Sequence, residues 1–270
     1  MNSNSQSTLR SALALVGGLL LAASASAAPL YANGFEVNVA DWTSTAKVAS
    51  GTGGITAATG GNYANVTNGA FTQWGGYNYG AGNNVATAFK EYTTSLDIYL
   101  NVGGGAASGT RFDFDSAISD AAGGFMRDFI FNAAFLNGGF VVSASNNSQP
   151  GSAYANNPDR DPFSITNTGW YTFEHHFYDD GGVLAVDMLI LDAADNVLHT
   201  WTLSNPADLI SGTGGNRYGW FDYSQFQTLA IDNAELNVIQ ATANVPEPAT
   251  LVLVGLGLSG AAFARRRKHL

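Results

Sequence analysis

Trp170-Tyr171-Thr172-Phe173-Glu174-His175-His176-Phe177-Tyr178, then Asp179-Asp180-Gly181-Gly182, then Val183-Leu184-Ala185-Val186-Asp187-Met188-Leu189-Ile190-Leu191 is the stretch that decides the fold. Its first arm places Tyr171, Phe173 and Phe177 at alternate positions, the period of a half-buried strand. The Asp-Asp-Gly-Gly segment is a turn signal, and the aliphatic second arm reads as the returning strand of a hairpin. Apolar residues occupy both faces of that arm except at Asp187, as expected of a strand inside a sheet. Ala193–Asn196 turns the chain again into Val197–Leu203, so the three runs predict an antiparallel meander.

Working outward, β-type runs recur at Gly34–Val39, Asn62–Val66, Thr87–Leu100, Arg111–Asp115, Asp128–Phe135, Gly139–Ala144, Asn196–Leu203, Tyr218–Tyr223 and Gln227–Val238. Only Asp115–Ala122 and Pro206–Ile210 read as helical, and both are short. Glycine-rich patches at Gly51–Gly61, Trp74–Gly82, Gly103–Gly109 and Gly212–Gly215 read as loops. Many short strands between glycine turns predict an all-β fold, a single antiparallel β-sandwich over residues 28–243.

The chain carries 11 basic and 21 acidic residues. Arg10, Arg265, Arg266, Arg267 and Lys268 lie at the two ends, so the middle is far more acidic than the formal net charge of −10 implies. A field of that sign repels phosphate backbones and argues against nucleic acid as a partner. There is no cysteine, which excludes thiol catalysis, thiolate metal sites and disulfides.

Both ends read as processing segments. Arg10, the apolar run Ser11–Ala23 and the small residues Ala25-Ser26-Ala27 form a secretory signal over residues 1–27, with signal peptidase expected to cut before Ala28. At the other end Asn244-Val245-Pro246-Glu247-Pro248 precedes the apolar run Ala249–Ala264 and then Arg265-Arg266-Arg267-Lys268. As a helix that run is roughly 24 Å long, barely enough to span a membrane. The basic cluster keeps its own end cytoplasmic.

The order Pro-Glu-Pro, short apolar helix, arginine cluster resembles the PEP-CTERM sorting tail of exported proteins in Gram-negative bacteria. That resemblance implies an exosortase as processing partner, with Pro246, Glu247 and Pro248 as recognition residues and Arg265, Arg266 and Arg267 as the stop. It also implies a transient membrane anchor through the C-terminal transmembrane helix, then delivery to the outer surface or the extracellular, biofilm matrix of exopolysaccharide producers. The segment Leu229-Ala230-Ile231-Asp232-Asn233-Ala234-Glu235-Leu236 loosely resembles the closing strand of lectin-like (concanavalin-like) jelly rolls, in which first and last strands pair.

Several residues could carry chemistry. Trp74, Tyr77 and Tyr79 sit in one glycine-rich loop, and Arg217, Tyr218, Trp220 and Tyr223 form a second cluster; exposed rings of this kind stack on sugars, whereas buried ones serve a core. Asp113 and Asp115 share a face if their run is a strand. Paired carboxylates suit glycoside hydrolysis, but a solvated strand face is the plainer reading. Glu174 and His176 share a face that His199 could join as a metal site, with polar decoration as the alternative. Asp179-Asp180-Gly181-Gly182 and Asn156–Asp161 could supply oxygens to a structural calcium, or be ordinary turns.

No cofactor, no dedicated metal site and no catalytic set is expected. The leading expectation is a non-enzymatic, exosortase-processed surface or matrix protein that contacts extracellular polysaccharide. A secreted glycan-active hydrolase on the same fold and a purely structural matrix component are the alternatives.

Overall fold

The computed structural model describes residues 28–76, 89–146, 155 and 157–239. The signal segment 1–27, the sorting tail with its expected membrane helix, Tyr77, Tyr79 and Asn156 lie outside the described residues. No helix among the described residues is long and apolar enough to cross a membrane.

Among the described residues, fourteen antiparallel strands form two sheets. Sheet A runs β12 (Val197–Leu209), β11 (Val183–Leu191), β10 (Gly169–Asp180), β5 (Tyr92–Leu100), β14 (Leu229–Val238), β3 (Asn62–Val66), β2 (Thr45–Ala49), with β1 (Tyr31–Asn33) also on β14. Sheet B runs β4 (Phe71–Thr72), β13 (Thr213–Ser224), β6 (Arg111–Asp120), β7 (Phe125–Leu136), β8 (Gly139–Asn146), β9 (Phe163–Ile165). The first strand pairs with the last, Tyr31 opposite Leu236.

The sheets meet through every second side chain of each strand. Leu96 and Ile98 of β5 and Phe173 and Phe177 of β10 pack with Phe112 and Phe114 of β6, Phe129 and Phe131 of β7 and Phe221 of β13 in one core. Each such ring withdrawn from water contributes about 1.5–3 kcal/mol before entropy is counted. Polar links cross the layer as well. Thr94 Oγ1 donates to Ser116 Oγ at 2.9 Å, and Arg127 grips Asp208 with two nitrogens, one at 2.8 Å.

His175 is the unusual core member. It is fully buried among Phe114, Phe131 and Phe177, and its Nε2 lies 2.9 Å from the carbonyl of Phe129 in the opposite sheet. A carbonyl can only accept, so Nε2 carries the proton and donates. Burial holds the imidazole down to about 3, so it stays neutral.

The hairpin expected from the opening stretch is present, with a tighter turn than the four residues suggest. Pairing continues to Asp180 opposite Val183, leaving Gly181 and Gly182 at φ 65° and 97° as the two-residue link. Two consecutive left-handed residues suit the right-handed twist of the strands, and glycine adopts them without strain.

Three expectations are corrected. Asp115–Ala122 is not helical: β6 continues to Asp120, because Phe112, Phe114 and Ile118 keep period two into the core. Pro206–Ile210 is likewise strand to Leu209, on the sheet edge where proline's missing N–H costs no ladder bond. Gly34–Val39 is not a strand; Asn33 Oδ1 accepts from Phe35 N at 2.8 Å, and Phe35 turns to φ 56° to bury its ring. The short strands β1, β2, β4 and β9 are additions the sequence pattern did not single out.

Candidate functional site

Sheet B has an outer face as well as a core face. Because Phe112, Phe114 and Ile118 point inward, Asp113, Asp115 and Ala117 point outward. The registers set Asp115 between Ile130 on β7 and Trp220 on β13, and Ala117 between Asp128 and Tyr218. Asp113 is opposite Asn132, and Asn132 is opposite Ser143. Three strands thus bring Asp113, Asp115, Asp128, Asn132, Tyr218 and Trp220 onto one surface, with Asp222 beside them on β13.

A hydrogen-bond chain runs across this surface. Asn132 Nδ2 donates to Asp113 Oδ1 at 3.0 Å. Asn132 Oδ1 accepts from Ser145 Oγ at 2.7 Å and from Arg160 Nη1 at 3.4 Å. Tyr218 Oη donates to Asp128 Oδ1 at 3.1 Å, and the Asp115 and Asp128 carboxyls bond to one another. Asp113 and Asp115 are only 7% and 1% exposed, so the expectation of a solvated strand face fails.

Burial sets the protonation of this group. It pushes Asp115 well above the usual carboxylate range, and the charges of Asp128 and Asp222 push it further. Asp128 is raised as well, by burial first, against the bond from Tyr218 and the charge of Arg217. Asp222 is exposed at its surface, yet the crowded sheet face around it pushes it up to about 6, by desolvation first and by Asp113 and Asp128 second. Burial raises Asp113 as well, opposed by its bond from Asn132. Tyr218 is raised above its ordinary value by burial and by the neighbouring carboxylates, so it donates rather than ionises.

The aromatic cluster expected at Arg217, Tyr218 and Trp220 is assembled here. The two rings meet edge to face at 6.2 Å, and the Arg217 guanidinium lies 5.7 Å from the Tyr218 ring while its Nη1 donates to the Gly123 carbonyl at 2.9 Å. Arg111 sits 4.3 Å over the Tyr223 ring. Trp220 is partly open to solvent. Hydroxyl partners find acceptors here, and a sugar face finds the Trp220 ring.

Trp74 corrects the other half of that expectation. It is fully buried, edge-on to Tyr31 at 6.0 Å and to Trp42 at 6.3 Å, and cannot touch a glycan. Gly219 makes its place: a Cβ there would come within 2.7 Å of the indole.

The histidine reading also fails as a ligand set. Glu174 and His176 lie on the outer face of sheet A, where His176 Nε2 is 2.7 Å from Glu91. His199 pairs opposite Ile190, which faces the core, so its side chain is on the other side of the sheet. It stacks on Phe163 at 5.1 Å and lies 3.2 Å from Asp161. No group of three His, Asp or Glu residues among those described could hold a metal ion. Asp179 Oδ1 instead accepts from Gly182 N at 2.6 Å, and Asn157 Oδ1 accepts from Asp159 N at 3.1 Å; both loops spend these oxygens on their own turns.

Asp128, Asn132 and Asp222 were not singled out from the sequence. Asp128 sits beside Ala117 only through strand register, and Asp222 hides between Phe221 and Tyr223 in a run that reads as aromatic.

Residues 244–268 match the PEP-CTERM protein-sorting motif. The motif implies export and membrane-anchored sorting as an exosortase substrate before processing. No curated protein matches the chain in sequence. Among solved structures, the chain is similar to a carbohydrate esterase of the Shiga toxin-encoding bacteriophage phi24B at 12% identity and a TM-score of 0.46, covering 78% of this chain and 99% of that one. It is similar to the cellulose induced protein Cip1 at 10% identity and a TM-score of 0.41, over 77% and 96%. The CBM2 module of the evolved Dit of Lactobacillus casei BL23 phage J-1 follows at 10% identity and a TM-score of 0.35, over 78% and 97%. Likeness at this level transfers no role to this chain.

Proposed function

We propose that this is a non-enzymatic surface or matrix protein of a Gram-negative bacterium whose β-sandwich contacts extracellular polysaccharide through the outer face of sheet B. One observation carries the reading: Trp220 stands partly open beside Tyr218 and Asp222, on a sheet face otherwise filled by hydrogen-bonded carboxyl and amide groups. An open ring beside fixed acceptors is the pairing that sugar recognition uses, the ring for the apolar face and the acceptors for hydroxyls.

The test is co-sedimentation of the full chain with the producing cell's own exopolysaccharide. Trp220→Ala is expected to weaken retention about tenfold with little change in melting temperature, and retention that survives unchanged overturns the role of this face. No retention by the unaltered protein leaves a purely structural matrix component as the better reading. Deleting Pro246–Pro248 is expected to strand unprocessed protein in the inner membrane; normal surface delivery would defeat the sorting assignment.

A second reading, glycan hydrolysis or deacylation, is favoured by one feature alone: Asp222, pushed up to about 6, shares a sheet face with Asp115, which burial also raises. Release of reducing ends or of acyl groups from polysaccharide, lost in Asp115→Asn, would replace the non-enzymatic reading.

A further inference from the structure

The outer face of sheet A holds a different kind of place. Loop residues 52–59 fold over it and cover a small apolar patch of Tyr63, Ala230 and Ala57, flanked by Tyr99 and Trp170. Trp170 Nε1 fastens that loop by donating to the Thr56 carbonyl at 2.7 Å, and Tyr63 Oη donates to the Thr52 carbonyl at 3.0 Å. Beside the loop opens a pocket of about 510 Å³, within the usual range of about 300–1,000 Å³ for small-ligand sites. Its wall is completed by the 101–110 and 225–229 segments.

Charge distinguishes this pocket. Among the described residues that line it there is no Asp, Glu, Lys, Arg or His, in a chain with 21 acidic residues. Its polar atoms are amides and hydroxyls, chiefly those of Asn65, Asn101, Gln225 and Gln227 around Tyr99. Gln225 Oε1 is taken by Arg111 N at 3.1 Å, while the amides of Asn65, Asn101 and Gln227 make no hydrogen bond within the described residues. Each amide offers two donors and an acceptor side by side, which matches adjacent hydroxyls of a sugar ring. An anionic ligand would find no cation here, and a basic one no carboxylate. An apolar ligand would strand the amides without partners, at a cost of about 1–3 kcal/mol for each polar group left unmet.

We infer that this pocket is a second glycan site, and that it takes an uncharged hexose unit. The inference deepens the glycan-binding reading and rests on it for the ligand class, but it uses residues on the opposite sheet. A neutral residue of a polysaccharide sits against Tyr99 and is held by Asn65, Asn101 and Gln227. Acidic residues of the same polymer are turned away by the negative field of the domain.

The experiment is calorimetric titration of the full chain in detergent with cellohexaose, laminarihexaose, mannohexaose and hexagalacturonate. The variants are Asn101→Ala, Gln227→Ala and Trp220→Ala. Asn101 and Gln227 are exposed rim residues whose side chains support nothing else, so unchanged melting curves are expected. One neutral hexamer is expected to bind, about tenfold more weakly in either pocket variant and unchanged in Trp220→Ala, while hexagalacturonate shows no dependence on the pocket. Neutral binding lost only in Trp220→Ala overturns the pocket and leaves the sheet B reading standing. Binding of hexagalacturonate that falls in the pocket variants overturns the neutral specificity. No binding of any neutral hexamer overturns the pocket, and retention on native exopolysaccharide then decides the sheet B reading separately.

Discussion

Asp232 on sheet A and Asp115 on sheet B are both aspartates buried on the outer side of a sheet, 0% and 1% exposed, and they are treated in opposite ways. Asp232 Oδ2 accepts from the backbone N–H groups of Ala58 and Thr59 at 3.0 and 3.2 Å, and Oδ1 from Asn233 N at 2.9 Å. Asp115 has another carboxyl as neighbour, and its Oδ1 is buried with no partner. Burial raises both. Two N–H donors of the 52–59 loop make one of them a clamp on the wall of the sheet A pocket; neighbouring carboxylates push the other further from ionisation. Buried acid is therefore structural on one face and disposable to stability on the other.

The sharpest way to break this contrast is Asp232→Ala. It removes the acceptor for the 58–59 backbone, and a loss of about 2–3 kcal/mol in urea unfolding is expected. Hydrogen exchange should speed first at Ala58 and Thr59. A change below 0.5 kcal/mol would put Asp232 in the same class as Asp115.

Next in size is the response to pH. Asp222 and Asp232 titrate near 6 in the folded protein and near 4 when unfolded. The folded state therefore binds more protons between those limits, and stability falls as pH rises through them. His175 acts in the other direction. Its folded value near 3 is below its unfolded value near 6.5, so its contribution is full above 6.5 and is lost as pH falls toward 3. With several carboxyls set against one imidazole, the melting temperature should be highest near pH 5 and lower at pH 7.5. A maximum at pH 7 or above would contradict the burial argument for the sheet B group.

The smallest effect expected is a gain. Asp115→Asn keeps a donor toward Asp128 and removes a charge that burial disfavours, so it should raise the melting temperature at pH 7. Recovery of about 1 kcal/mol corresponds to about 2–4 °C for a domain of this size. It should also flatten the pH response, as Asp232→Ala should, but Asp232→Ala does so with a loss of stability rather than a gain.

The sequence pattern was legible where one physical signal acted alone. The 170–191 hairpin has an alternating first arm, a continuously apolar second arm and a glycine turn between them, and Asn62–Val66 and Val183–Leu191 are strands to the residue. It misled where polar residues face inward. Ser116 points into the core to meet Thr94, which blurs the alternation of β6 and gives its second half a helical look. Asp113 and Asp115 were readable as sharing a face, but their partners Asp128 and Asn132 come from register with β7, which no local pattern encodes. Trp74 looked like loop because glycines surround it, and only Gly219, far along the chain, reveals the slot it fills. The amide pocket gave no signal at all, since Asn65, Asn101 and Gln227 are ordinary loop and strand residues until the sheet gathers them.

The pairing of β1 and β3 along one side of β14, with β5 on the other, has a mechanical consequence. The segment that carries the sorting tail leaves directly after β14, so a pull from the anchored end runs along that strand. Antiparallel hydrogen bonds lie across the strand axis, and such a load must shear both ladders together rather than unzip them one bond at a time. While the tail is still in the membrane, the domain is thus held by a strand laced to three others.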